Sequence, residues 1–167
     1  ALRTMLAPSA TAIAIDSAMM FKELQKSNFE LGMAYNATID AWSRTLDMRG
    51  RDTEGHTRRV TDFTIKFAAL LGVKDSELIH IRRGATLHDI GKVAIPDEIL
   101  FKPGPLDQEE WETMRQHPKY AVDLLSPIKY LEHAVDIPHW HHEKWDGTGY
   151  PDRLGRGEIP LPARLFA

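Results

Sequence analysis

Glycine and proline divide this sequence into stretches with the period of an α-helix, and no stretch alternates apolar and polar residues for long. The longest stretch follows Pro8 and contains no glycine before Gly32 and no further proline before Pro96. Its predicted stripe has spacings of three, four or seven residues: Ile13, Met20, Leu24, Leu31, Tyr35, Thr38 and Trp42. The sequence therefore predicts an all-α fold that begins with one long helix, from about Ser9 to Met48.

A continuous helix over this range would be about 60 Å long at about 1.5 Å per residue, which is more than a small domain needs. Helices of that length usually connect domains. Two interpretations of the stripe stay open: it packs on a core, or it forms the seam of a parallel homodimer that transmits a signal. Asn28 and Thr38 lie on the stripe and weaken the dimer interpretation.

Start and stop signals predict further helices. The second is expected from about Thr53 to Leu71, with Gly72 as its stop. Asp75 or Ser76 is expected to cap a third helix that continues through His88.

A helix and a loop are predicted in the second half of the chain. Asp107 and Glu110 have the spacing of a capping box, so a helix is expected to run towards His117, where Pro118 interrupts it. Residues 144–157 contain four glycines and a proline and therefore predict a loop.

Composition excludes several classes of protein. The net charge of −3, from 21 basic and 24 acidic residues, provides no basic field for long nucleic acid. Without cysteine there are no disulfides, zinc fingers or thiol catalysis, and a cytoplasmic location is expected. No apolar run approaches the about 20 residues of a membrane span. Because the chain starts without methionine and breaks off after apolar residues 161–167, we expect it to be part of a longer protein.

Two adjacent pairs among the histidines predict a metal site. His88 and Asp89 would point about 100° apart on a helix, so both side chains can reach one cluster and the carboxylate can bridge two ions. His141 and His142 form the second pair.

His56 and His117 complete a set of five imidazoles and one carboxylate, which favours Fe, Mn or Zn over Mg or Ca. Two octahedral ions offer about twelve coordination positions, so six side chains leave room for water and substrate oxygens. Open positions of this kind predict hydrolysis of a phosphoester. The sequence has no Walker A loop, nucleophile elbow or His-Glu-x-x-His motif that would predict another chemistry.

Seven short motifs follow one another along the chain: Glu54-Gly-His56-x-x-Arg59-Val60, His88-Asp-Ile-Gly-Lys92, Lys102-Pro-Gly-x-Leu106, His117-Pro118, His141-His-Glu143, Asp146-Gly-x-Gly-Tyr-Pro151 and Pro162-Ala-Arg164. In this order they resemble the HD-GYP subset of HD-domain phosphohydrolases, over about residues 44–167. The resemblance implies hydrolysis of cyclic di-GMP to pGpG or GMP in bacterial second-messenger signalling. It implies a site of two or three iron or manganese ions, with zinc as an alternative. The implied ligands are His56, His88, Asp89 as the bridge, His117, His141 and His142.

The resemblance also assigns roles to residues beside the metals. Lys92 would contact the substrate phosphate and join Asp89 as a catalytic residue. Lys92 lies four residues after His88, hence on the same face if the helix continues that far. Gly149 and Tyr150 would form part of the site wall and a surface for a GGDEF-type or another signalling protein.

Two positions depart from the family pattern. A glutamate that supports a third metal in some members is replaced by Asp52, so two metals are expected. The family's last ligand, an aspartate, would come just after Ala167, so this fragment is expected to be inactive if the aspartate is absent.

The N-terminal part has its own resemblance, because residues 10–24 are similar to the last helix of a GAF sensor domain. The expected organisation is a GAF-derived linker helix over residues 1–43 and an HD-GYP domain over residues 44–167. Two rival functions stay open. One is a non-catalytic receptor for cyclic dinucleotides or a protein-interaction module of the same fold. The other is hydrolysis of a different phosphoester.

Overall fold

The computed structural model describes residues 10–49 and 55–167. Within these ranges it contains helices and no strand, apart from an isolated bridge between Asp146 and Gly155. The α-helices are α1 (Ala10–Arg49), α2 (His56–Leu70), α3 (Asp75–Thr86), α4 (Asp97–Leu100), α5 (Gln108–Met114), α6 (His117–Leu125), α7 (Asp136–Trp140) and α8 (Leu161–Phe166). Three 3₁₀-helices lie at Ile90–Ala94, Lys129–Ala134 and Arg156–Glu158. The prediction of an all-α fold is confirmed.

Helix α1 is continuous over 40 residues, as the absence of proline predicts. The chain forms two compact units, the first ending at Thr38 and the second comprising Ile39–Ala167. The predicted stripe is exposed in the described residues, with Met20 69% and Leu24 58% accessible. Over residues 10–38 the stripe therefore packs on no core among the described residues, and the homodimer seam stays a prediction, as does the domain division at residue 43. Among the described residues, no helix meets the length and hydropathy that a membrane span requires.

The core of the second unit consists of two apolar clusters. The first joins α2, α3, α7 and α8 through Ala68, Ile81, Ala85, Ile137 and Leu165. The second joins the end of α1 to residues around α6 through Ile39, Leu87, Leu125 and Leu131. Burial of each large apolar side chain stabilises the fold by about 1.5–3 kcal/mol. The clusters fix the ends of α3 and α7, where the metal-binding candidates lie.

Helix α3 begins and ends at different residues from those predicted. Its N-cap is Lys74, in an extended conformation and without a side-chain cap, so Asp75 is the first helical residue. The helix ends at Thr86, and the following Leu87 is fully buried in the second cluster. His88 therefore lies in a turn rather than on a helix. Packing of Leu87 and of the next 3₁₀-helix on α6 overrides the local preference for helix.

Helix α2 begins after Gly55, whose φ of +72° is in the left-handed region, and Gly72 follows its end with φ +79°. The predicted stop at Gly72 is confirmed, whereas the predicted start at Thr53 lies outside the described residues. Near His117, Pro118 lies in the first turn of a new helix instead of interrupting an old one, because proline lacks only an N–H that has no partner there.

The predicted capping box of α5 is present. The Asp107 carboxylate accepts a hydrogen bond from the Glu110 backbone N–H at 3.0 Å, and Glu110 accepts one from the Asp107 N–H at 2.8 Å. We expect Asp107→Ala to lower the free energy of unfolding by about 1 kcal/mol, measured by urea denaturation. Gln108→Ala, at the exposed neighbouring position, is the control and is expected to change it by less than about 0.5 kcal/mol.

Candidate metal centre

Three separate segments bring the predicted ligands together. Asp89 lies in the turn after α3, His117 is the first residue of α6, and His141 and His142 directly follow α7. Each of these four side chains offers one ligand atom, and the four atoms lie within 4.8 Å of one another. A convergence this tight, over 50 residues of sequence, is what a metal centre requires.

The two carboxylate oxygens of Asp89 face different partners. Oδ1 lies 3.5 Å from His117 Nε2 and 3.8 Å from His141 Nε2. Oδ2 lies 3.0 Å from His88 Nε2 and 2.7 Å from Lys92 Nζ. Imidazole nitrogens thus face both oxygens of the carboxylate, which is the position expected of a ligand that bridges two ions.

Backbone carbonyls orient three of the imidazoles. The Nδ1 atoms of His88, His117 and His141 lie 2.9 Å from the Ala85 oxygen, 2.9 Å from the Met114 oxygen and 3.0 Å from the Ile137 oxygen. Because a carbonyl can only accept, each Nδ1 carries the proton, and in the neutral imidazole Nε2 is left with its lone pair. This arrangement is the usual support for a metal-binding histidine.

The Nε2 atoms of His117 and His141 lie only 3.3 Å apart. Since both carry a lone pair in the neutral tautomers fixed by the backbone, neither can donate to the other. Two lone pairs at this separation repel each other unless a cation is shared between them. The donor set therefore fits a divalent metal ion.

Burial favours the neutral form of three imidazoles, those of His117, His141 and His142. It lowers the pKa of His117 to about 4 and that of His142 to about 2, and it also lowers the pKa of His141. Burial of Asp89 acts to raise its pKa, but the neighbouring His141, His88 and Lys92 outweigh it and hold the pKa well below its usual value. At pH 7 the cluster thus offers neutral nitrogens around an ionised carboxylate, as metal binding requires.

His88 is under opposing influences. Burial acts to lower its pKa, but the contact with the Asp89 carboxylate outweighs burial and raises the pKa. The ring lies next to that of His56, the first residue of α2, with 6.4 Å between the ring centroids. His88 and the neighbouring His56 thus both lie outside the tight group of four, and Asp52 lies outside the described residues.

Lys92 lies at the site as predicted, but it is not on the same helix as His88. It lies in the 3₁₀-helix Ile90–Ala94, because the helix that would have aligned it with His88 ends at Thr86. Its ammonium contacts Asp89, three residues earlier, instead of following the four-residue spacing. The charge of Lys92 is therefore at the carboxylate of the centre.

The loop after His142 closes one side of the centre. The Tyr150 ring stacks on the His142 ring, with 4.6 Å between centroids and 22° between planes. Gly149 is in close contact with the backbone, since a Cβ there would lie 2.4 Å from Glu143 Cα. Burial raises the pKa of Tyr150 to about 12, so its phenol is a neutral donor at physiological pH. Gly149 and Tyr150 therefore lie beside the site.

Glu143 is a site residue to which the motif alone assigns no role. Its side chain is only 2% exposed, and its Oε1 accepts a hydrogen bond from the Asp152 N–H at 2.7 Å. Its other oxygen is buried and has no hydrogen-bond partner in the described ranges. The only indication of Glu143 in the sequence is its position directly after the histidine pair. Glu143 holds the end of the 144–152 loop against the segment that carries His141 and His142.

We expect Glu143→Ala to release this loop. Loss of the acceptor leaves the Asp152 N–H unpaired, which costs about 1–3 kcal/mol. The melting temperature should fall by about 2–4 °C for each kcal/mol. Proteolysis should also cut within residues 144–157 sooner than in the parent protein. Glu112→Ala, at an exposed position of α5, is the control, and equal cleavage in both variants would contradict the assignment.

These features define a helical domain with a buried centre of histidines and one aspartate. The family model for the HD domain matches residues 40–167, and the chain belongs to the HD-domain family. The family expected from the motifs is thus confirmed, and the relatives' names agree with its HD-GYP subset. A GAF domain ahead of it stays a prediction.

Curated relatives carry related names. A 3'3'-cGAMP-specific phosphodiesterase of Vibrio cholerae is 43% identical over 127 residues, which cover 75% of this chain and 24% of the relative. A cyclic di-GMP phosphodiesterase of Thermotoga maritima is 41% identical over 125 residues, covering 72% and 33%. A cyclic di-GMP phosphodiesterase response regulator of Xanthomonas campestris is 37% identical over 132 residues, covering 78% and 35%. The chain spans about a quarter to a third of the length of these relatives.

Proposed function

We propose that the full-length protein is a metal-dependent phosphodiesterase that hydrolyses cyclic di-GMP to pGpG, GMP or both. The observation that carries the proposal is the convergence of imidazole nitrogens from His88, His117 and His141 on the two oxygens of Asp89. Two-ion centres are found in enzymes that hydrolyse phosphoesters, and the names of the relatives support cyclic dinucleotides as the substrate class.

Two ions, with iron or manganese favoured over zinc, are proposed for the centre. His117, His141 and His142 would help to hold one ion and His88 and His56 the other, with Asp89 shared between the two. The contacts of Asp89 support this division for three of the imidazoles, since His117 and His141 lie nearest Oδ1 and His88 lies nearest Oδ2. When bound, such ions lower the pKa of water and stabilise charge on a phosphodiester. Asp52 stays a candidate for a third ion.

The protein's own side chains would bind and orient the substrate. The Lys92 ammonium lies at the edge of the centre and would neutralise a phosphate oxygen. Tyr150 stacks on His142 and Gly149 brings backbone close to it, so the loop would limit how the dinucleotide enters. Hydrogen bonds to backbone oxygens hold the rings of His88, His117 and His141 in place before the substrate binds.

The second candidate substrate is 3'3'-cGAMP. It is favoured by the relatives themselves, since two Vibrio cholerae proteins named for this activity are 43% and 39% identical to the chain. Both dinucleotides present the same phosphodiester to the metals and differ in one base. The choice between them therefore depends on groups that contact the bases.

The test is a product assay with the full-length protein and manganese or ferrous iron. Cyclic di-GMP, 3'3'-cGAMP and a nucleoside monophosphate are supplied separately, and the products are separated by chromatography. Release of pGpG or GMP supports the proposal, and a strong preference for 3'3'-cGAMP selects the second candidate. Hydrolysis of the mononucleotide alone would indicate another phosphoesterase. Tight binding of cyclic di-GMP without turnover would instead indicate a receptor.

Other expectations from the sequence remain proposals. They are a cytoplasmic location, a homodimer through the N-terminal helix, and a GGDEF-type or other signalling partner at the loop with Tyr150. The exposed apolar residues of α1, such as Met20 and Phe29, support the homodimer. A concentration-dependent mass, measured by light scattering, would test it.

A further inference from the structure

The last turn of α1 is bound to the segment that carries Lys92. Arg49, the final residue of the helix, donates to the Val93 carbonyl at 2.9 Å. The same guanidinium pairs with the Asp97 carboxylate in the first turn of α4. One planar side chain thus connects α1 to both ends of the turn that follows Lys92.

Lys92 is placed by its own backbone on this segment. It precedes Val93 directly, in the 3₁₀-helix Ile90–Ala94, and its ammonium lies 2.7 Å from Asp89 Oδ2. A shift of the Val93 carbonyl therefore moves the attachment point of the lysine relative to Asp89. The side chains of Arg49 and Lys92 also line one small cavity together with His88 and Asp89.

A second contact fixes the same part of α1 on the other side of this cavity. The Asp47 carboxylate accepts a hydrogen bond from the Thr57 hydroxyl at 2.6 Å. Thr57 is buried and follows His56 in the first turn of α2. Ile39 and Ser43, also on α1, are buried in the second unit. The end of α1 is therefore held at a defined position beside the centre.

From these contacts we infer that Arg49 is a positioning residue, which sets the location of the Lys92 ammonium at the metal centre. The expected effect on kcat rests on the proposed function, whereas the contacts of Arg49 are independent of it. This role makes the C-terminal turn of α1 part of the active-site support.

The first test uses turnover of cyclic di-GMP by the full-length protein. Arg49→Gln is expected to lower kcat by about tenfold, because small displacements of a positioning group have effects of this size, while metal content and melting temperature stay near those of the parent. Arg49→Lys, which keeps the charge, should recover part of the loss. Arg44→Gln, at an exposed position of the same helix, is the matched control.

A double variant separates positioning from general destabilisation. If Arg49 acts through Lys92, Arg49→Gln in a Lys92→Gln background should lower kcat by less than about twofold further. Additive losses, or a loss of metal in Arg49→Gln, would overturn the inference.

The third measurement needs neither metal nor substrate. Lysine acetylation by acetic anhydride, followed by mass spectrometry of the metal-free protein, reports the accessibility of Lys92. Arg49→Gln should raise labelling of Lys92 by about threefold or more relative to exposed Lys119 and Lys144, since the segment is less restrained. Unchanged labelling would overturn the inference. If Arg49→Gln increases the labelling of Lys92 but the parent protein does not turn over cyclic di-GMP, the positioning role of Arg49 stands and the proposed function is rejected.

Discussion

Replacement of Asp89 by asparagine is expected to reduce bound metal to at most one ion and to lower turnover of cyclic di-GMP by about a thousandfold or more. Imidazole nitrogens face both oxygens of the Asp89 carboxylate, with contacts of 3.0 Å to His88 and 3.5 Å to His117. An amide is neutral and its nitrogen cannot bind a cation, so it cannot serve as a bridge. Elemental analysis and a product assay on the full-length protein measure both effects.

The matched control is Asp123→Asn on the exposed face of α6. It removes the same charge at a position with no contact to the centre, so metal content and turnover should stay unchanged. The two variants should also have similar circular dichroism, since removal of Asp89 in the metal-free protein leaves the apolar clusters intact. Full metal content in Asp89→Asn would contradict the role of this residue.

The second large effect is expected from Gly91→Ala. A Cβ at this position would lie 1.8 Å from the His117 carbonyl oxygen and 2.8 Å from the Ala121 backbone nitrogen. Backbone atoms cannot move aside as a flexible side chain does, so the 3₁₀-helix and α6 would have to separate. The expected loss of unfolding free energy is about 3 kcal/mol, which lowers the melting temperature by about 6–12 °C.

The same substitution should weaken the metal centre, because it separates the segment of Asp89 from that of His117. Metal content and thermal unfolding of the same preparation measure the two effects together. Gly157→Ala is the control, since a Cβ there meets no atom within 4 Å. Equal stability of the two variants would contradict the claim that Gly91 packs too closely on α6 to admit a Cβ.

Local patterns were sufficient to predict parts of the fold. Helix α1 could be predicted because the chain lacks proline from Ser9 to Ile95, and the start of α5 because Asp107 and Glu110 satisfy each other within one turn. Both depend on residues close in sequence. The end of α3 could not be predicted this way, since it is set by the burial of Leu87 against residues of α1 and α6.

Some residues of the candidate site could also be predicted from local patterns, and others could not. His88, Asp89, His117, His141 and His142 could be singled out because their motifs are specific, and the structure brings their side chains close together. The roles of Glu143 and Arg49 depend on partners elsewhere. Glu143 acts on a backbone N–H nine residues away, and Arg49 on a carbonyl 44 residues away. Nothing in the sequence near either residue indicates its partner.

The most direct test of a two-ion centre is the metal content of the purified full-length protein, determined by elemental analysis beside its turnover of cyclic di-GMP. The arrangement around Asp89 predicts two iron or manganese ions per chain and release of pGpG or GMP, both lost on treatment with a chelator and restored by metal. A folded protein that binds no metal, or that turns over cyclic di-GMP equally well after complete metal removal, would contradict the account.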